Sequence, residues 1–188
     1  MKKKALHILT IILILASCSN KYHLNKHEIK LLNKEIDEMA ENDQKSRLVM
    51  YNLDSIYKQD RYTTMKPKQI KMQLLGTKYE EYQHKIDSLW FEIKQNDEYN
   101  TKKLIEITKK YGFPNNKRLG VYKSKAYFIF VHSPREYFEQ INELVEEEYT
   151  KSRMTEYEKE YIYWHTKYER KGMPPMCGKN GEAIKNIN

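Results

Sequence analysis

The chain has 188 residues, enough for one domain, and its 34 lysines and arginines outnumber its 26 acids for a net charge of +8. Only six glycines and five prolines occur, and no repeat or low-complexity block appears, which excludes an array architecture; the 16 tyrosines point to a core with polar handles at its edge. A basic balance of this size often signals nucleic acid, but the charges alternate in sign and the amino-terminal residues predict export, so no nucleic-acid partner is expected.

Lys2, Lys3 and Lys4 form a positive n-region, and Ala5 to Ala16 form an apolar stretch interrupted by His7 and Thr10. A spanning helix needs roughly 20 apolar residues, so this stretch reads as a signal peptide over residues 1–17. Leu15-Ala16-Ser17-Cys18 resembles a bacterial lipobox, in which the cysteine thiol receives a diacylglycerol and the new amino terminus is acylated. Each buried methylene contributes about 0.8 kcal/mol, so two or more chains hold stably. The predicted partner is therefore a membrane, reached through lipid on Cys18, with residues 18–23 as a tether. Ser19, Asn20 and Lys21 follow the cysteine without an aspartate. By resemblance to lipoprotein sorting rules, this implies the outer membrane, facing the periplasm. Removing residues 1–17 takes three lysines from the 34 cations against 26 acids, leaving a mature net charge of +5. With Cys18 a thioether, Cys177 has no partner for an intramolecular disulfide.

The rest reads as all-α: a single irregular domain of about five to six helices over 24–172, then a carboxy-terminal tail over 173–188. From Leu24 to about Tyr57, Leu31, Leu32, Ile36, Met39, Leu48, Leu53 and Ile56 recur at roughly helical spacing, with a break expected near Asn42-Asp43. Arg61 to Lys66 reads as a connection, and Pro67 suits the first turn of a helix running to Gln95. Its stripe is Ile70, Leu74, Tyr82, Ile86, Leu89, Trp90 and Ile93, with Gly76 a weak point. Asn100 is positioned to cap a further helix from Thr101 to Tyr111, which Gly112 and Pro114 end. Ala126 to Val131 is a continuous apolar run without an obvious partner strand, and a buried helix is the favoured reading over a strand. Ser133-Pro134-Arg135-Glu136 and Thr155-Glu156-Tyr157-Glu158 each read as a capping box. They open helices near 134–149 and 156–170 that should turn aromatic faces inward, the second ending at Gly172.

Tyr111-Gly112-Phe113-Pro114, then Gly120, Ser124, Ala126 and the apolar run ending in His132, resemble a bacterial domain-of-unknown-function family, number 6624. That family carries a Tyr-Gly-Trp-Pro type motif and an apolar run ending in Gln-His. Its upstream Asp-Gln-x-x-Arg motif matches Asp43, Gln44 and Arg47, and its tail motif aligns with Gly172 to Asn180. The resemblance covers most of residues 36–180. Val131 stands where the family has Gln, Pro175 and Cys177 replace Gln and Tyr, and His165-Thr166 stand where members often show Asp-Arg. The family carries no assigned activity, so the resemblance implies a divergent member and a fold more than a function.

The candidate binding or catalytic residues are Asp43, Gln44, Arg47, His132 and His165. Asp43, Gln44 and Arg47 are within reach of one helix side, where a solvated helix end with an intrahelical pair is the plainer account. His132 ends an apolar run and needs a hydrogen-bond partner if buried, with Asp43 the expected acceptor; a purely packing histidine is the alternative. His165 shares a face with Tyr161, Trp164 and Tyr168, where a core position competes with a ligand role. Nothing near Cys177 in sequence lowers its pKa, and Glu146-Glu147-Glu148 reads as a solvated charge run. No metal-ligand spacing, phosphate loop or nucleophile elbow appears, so no metal and no cofactor is expected. The expected function is a binding or immunity-like envelope domain facing an envelope protein; the alternatives are a hydrolase-like enzyme centred on His132 and a structural or assembly lipoprotein. Whether there is catalysis is left open by the sequence.

Overall fold

The computed structural model describes residues 23–61, 77–122 and 124–184, with side chains described for 23–52, 83–122 and 124–184. The expected signal peptide, Cys18, most of the expected tether, the connection after Arg61, Pro67, Ile70, Leu74 and Gly76 lie outside these residues, as do the side chains of Leu53, Ile56 and Tyr82.

The domain is helical. Its helices are α1 (Lys26–Arg61), α2 (Thr77–Tyr111), α3 (Asn116–Leu119), α4 (Ala126–Val131), α5 (Phe138–Thr150) and α6 (Glu156–Thr166), with a 3₁₀ turn at Arg135–Tyr137. A small antiparallel hairpin, β1 (Met176–Cys177) and β2 (Ala183–Ile184), follows and pairs Met176 with Ile184 and Cys177 with Ala183.

α1 starts where Asn25 accepts from the amides of His27 and Glu28 while Glu28 returns a bond to the Asn25 amide, a capping box. It then runs without the break expected at Asn42-Asp43. A mid-helix aspartate costs only a fraction of a kcal/mol in propensity, and Asp43 is drawn inward by tertiary partners described below. α2 is likewise one helix where two were expected. Asn100 does not cap a new helix; it is buried within α2 and donates to the Met39 carbonyl at 3.0 Å. The pairs Lys103–Glu35, Asn100–Met39 and Arg47–Asp97 show α1 and α2 running antiparallel, since one number rises as the other falls. Leu32, Ile36, Met39, Leu89, Ile93 and Leu104 fill the seam. Leu31, Leu48 and Trp90, expected on the apolar stripes, are instead 53%, 61% and 47% exposed.

α2 ends at Gly112, whose φ of +76° continues the chain in the left-handed region. A Cβ there would lie 2.5 Å from Arg118 Nη1 and 2.8 Å from Arg153 Nε, so the turn needs glycine for space as well as for φ. Beside it lies Glu148, which is 2% exposed and not part of a solvated run. It accepts from the Phe113 amide at 2.7 Å and from Arg153 at 2.5 and 2.8 Å. A buried carboxylate so paired fixes the α2 end against α5.

α4 is a helix as favoured, and every residue but Phe128 is buried. It packs against α1, α2 and α6. Phe130 stacks with Phe113 at 6.0 Å, and Tyr127 meets Tyr157 and Tyr161 edge-on. Ser133 does not cap the next helix: its hydroxyl donates to Ile129 O at 3.2 Å and lies 2.8 Å from Thr101 Oγ1. A 3₁₀ turn opens the segment instead.

The second capping box does form. Thr155 accepts from the Glu158 amide and Glu158 from the Thr155 amide. The tail adds to it, because Gly181 O accepts from the Tyr157 amide and Glu156 accepts from the Ala183 amide. α6 stops at Thr166 rather than near 170. The Trp164 indole N–H turns to the carbonyls of Lys171 and Gly172 at 3.2 Å each, and the returning chain takes positive φ at Glu169 and Arg170. Its most buried positions are Glu158, Ile162, Tyr163 and Thr166, while Tyr157, Tyr161 and Trp164 are half-buried.

Core burial should therefore outweigh helix capping. Phe130→Ala should cost about 3–5 kcal/mol, Glu148→Ala a similar 3–5 by breaking a buried ion pair and leaving the Phe113 amide without its acceptor, and Thr155→Ala only about 1. Urea unfolding measures all three, and equal losses at Phe130 and Thr155 would contradict this ordering.

Candidate functional site

The site begins where α4 ends. His132 is carried out of the core by the last turn of α4, its amide bonded to Phe128 O at 3.1 Å. The next residue is tied to α2 through Thr101. The imidazole therefore projects from a clamped backbone toward the α1–α2 seam. There its Nδ1 lies 3.0 and 2.9 Å from the two oxygens of Asp43. Asp43 is an acceptor when ionised, so Nδ1 carries the hydrogen and Nε2 keeps the lone pair in the neutral ring.

Asp43 is 4% exposed. Burial pushes its carboxyl up, but the hydrogen bond and charge of His132, the Arg47 guanidinium and the Gln44 amide at 2.5 Å outweigh this and hold it below the usual range. Arg47 sits one turn along α1, 3.7 Å from Asp43. Its Nη2 donates to both oxygens of Asp97 on α2, at 2.7 and 2.8 Å. Burial raises the Asp97 carboxyl to about 6 against the Arg47 charge, helped by the nearby Asp43 carboxylate.

His132, Arg47, Gln44 and Asp97 line a cavity of about 850 Å³ whose apolar walls include Leu48, Tyr51, Trp90 and Phe138. Asp43 stands behind His132 and lines a second cavity of about 440 Å³ on the other side of Gln44. Four of the five expected residues are thus brought together: Asp43, Gln44, Arg47 and His132. His165 is not in that group. It lines an adjoining cavity of about 400 Å³ and accepts at Nδ1 from Arg170 Nε at 3.0 Å. Burial, with the charges of Arg170 and His132, lowers its pKa to about 4, so it is neutral near pH 7. Cys177 is exposed and free in the hairpin. Among the described residues no cluster of three or more His, Cys, Asp or Glu takes a metal-holding arrangement.

Sequence reasoning missed Asp97 and Arg170 and read Trp90 as core. Asp97 had a signal: with Ile93, Asn100, Thr101 and Leu104 it falls on one helical stripe, and an acid among buried positions needs a partner. Arg170 had none, because the turn after Thr166 was read as helix.

Comparison with family models, with curated proteins and with solved structures gave no match.

The two aspartates give opposite pH signatures. Asp97 binds its proton more tightly folded than at the ordinary 3.8. Its contribution to stability is therefore full at low pH and declines as pH rises from about 3.8 through about 6. Asp43, with its folded pKa lowered, stabilises above the ordinary range and loses that contribution as pH falls below it. Carboxyl carbon NMR should show Asp97 titrating near 6, and Asp97→Asn should remove the decline between those values. A midpoint in the ordinary carboxylate range would contradict this electrostatic reading.

Proposed function

We propose that the chain is a lipid-anchored protein of the cell envelope, held to the outer membrane through Cys18. Its helical domain takes a ligand into the cavity over His132, which acts there as a general base in a hydrolytic step. The observation that carries the site is the contact of both Asp43 oxygens with His132 Nδ1. It sets the tautomer and leaves Nε2 as the basic nitrogen of a cavity-lining ring. In such a step Nε2 takes a proton from a water attacking an electrophilic carbon or phosphorus. The buried Asp43 carboxylate stabilises the imidazolium, which returns the proton to the leaving group. Arg47 also lines the cavity, but its charge is taken up by Asp97 and Asp43, so it orients these carboxylates.

The membership in family 6624 is part of this proposal. Asp43, Gln44 and Arg47 come from one stretch of the resemblance and His132 from another, and their convergence supports reading the chain as a divergent member. The anchor rests on the lipobox resemblance; among the described residues no helix is long and apolar enough to cross a membrane.

A non-catalytic binding role is the second reading. It is favoured by the exposed apolar side chains Leu48, Val49, Tyr51, Trp90 and Phe91 along α1 and α2, a surface that suits an envelope protein partner.

Two experiments test these statements. Labelled palmitate should enter the wild type and not Cys18→Ser; equal labelling removes the anchor. On a panel of 4-nitrophenyl esters and phosphates, His132→Ala should abolish turnover and Asp43→Asn should lower it by roughly 10²–10⁴-fold with helical content retained. Absence of any turnover by the wild type would sink the hydrolytic step and favour the binding role.

A further inference from the structure

The groups around His165 bear on what enters the cavity. Arg170 and Phe138 line both the His132 cavity and the adjoining one, so the two spaces meet at these side chains. Arg135, Lys167 and Glu169 line the adjoining space as well, and the Glu169 carboxylate is taken up by Lys171 at 3.3 Å. Among the described residues neither Arg135 nor Arg170 is paired with a carboxylate, although Asp43, Asp97, Glu148 and Glu146 each hold a cationic partner nearby in the fold.

Arg170 is also held in place. Its backbone has φ of +60° and its amide donates to Trp164 O at 2.7 Å. Its Nε donates to Nδ1 of His165, which must carry a lone pair to accept. The guanidinium is thus oriented through a neutral donor–acceptor contact, and among the described residues no carboxylate pairs with it. Arginine presents its N–H groups in a planar fork suited to carboxylate or phosphate.

Resting on the reading of the His132 cavity as a ligand site, we propose that its ligand is a small molecule with one anionic group on an apolar body. Arg170 and Arg135 hold the anion at the junction of the two cavities, and the body passes Phe138 to lie among Leu48, Tyr51 and Trp90. His165 is a positioning residue for Arg170. The open groove, about 850 Å³ in volume, is large enough to take a compact organic ligand. Its apolar walls face the body, and the reacting bond would lie within reach of His132.

The test uses two probes with the same aromatic body, 8-anilinonaphthalene-1-sulfonate and the uncharged N-phenyl-1-naphthylamine, titrated by fluorescence into the unlipidated Cys18→Ser chain. The sulfonate should bind about 10–100-fold more tightly, the range expected for charge-assisted hydrogen bonds. Arg170→Gln should erase most of that preference and leave the neutral probe unaffected. Removal of a remote charge by Lys117→Gln should change nothing. His165→Phe should reduce the preference and His165→Gln, which keeps an acceptor, should restore it. Trp90→Ala should weaken both probes equally. Equal affinities in the wild type, or an unchanged preference in Arg170→Gln, would overturn the anionic ligand while the cavity reading stands. Failure of both probes to bind, or binding indifferent to Trp90→Ala, would overturn the inference together with the cavity reading.

Discussion

The burial of one six-residue helix, Ala126 to Val131, is the constraint on which the rest of the structure depends. A helix this short has no stability of its own, since nucleation fixes several residues for very few hydrogen bonds. It exists because its sides are covered by α1, α2 and α6, leaving five of its six residues buried. Those long helices in turn lack strongly apolar faces, as their mostly polar sequences show. Each element supplies the surface that the other needs. The outcome is a helical layer built around one apolar peg, and the peg's exit point is His132.

That placement explains why the site is where it is. Leaving a fully apolar helix, the chain must satisfy its first polar ring at the edge of the core. The closest seam is that between α1 and α2. Asp43 is available there because α1 continues through it, and Asp97 because α2 continues through Asn100 toward Tyr111. Had either helix broken where the local sequence suggested, the carboxylates would not have faced one another across Arg47.

Two buried acidic centres show how differently the same group can be used. Glu148 is closed on all sides, with an amide and a guanidinium filling its oxygens, and it serves to lock the Gly112 turn. Asp43 is equally buried, but its main partner is a histidine that lines a cavity. The first arrangement spends its hydrogen bonds on the fold. The second transmits the charge of a buried carboxylate to a titratable ring in contact with solvent. The two histidines likewise divide: His132 meets a carboxylate at Nδ1, whereas His165 accepts a cation's N–H and is held neutral.

Local chemistry decided much by itself. Helical periodicity, the Thr155–Glu158 capping box and the Gly112 stop were all legible, because each involves residues within a turn of one another. The all-helical class followed from them. The pairing of Asp43 with His132 did not: it was expected because the 6624 resemblance marks both residues and a buried imidazole needs an acceptor, and the fold brings them together from 89 residues apart. What the tertiary structure alone decided was whether helices ran on or stopped, and where polar side chains spent their bonds. Asn100 and Ser133 have cap-forming side chains, yet both found partners across the fold, Met39 O for one and the Thr101 hydroxyl for the other. Glu148 was indistinguishable from its neighbours Glu146 and Glu147 until Arg153 and the Phe113 amide came to it. Asp97 and Arg170 became site residues only through the antiparallel packing of α2 on α1 and the turn that Trp164 pulls closed. A side chain's local preference is worth about a kcal/mol, while leaving a buried polar group unpaired costs as much or more. Where the two disagreed in this chain, the long-range partner won.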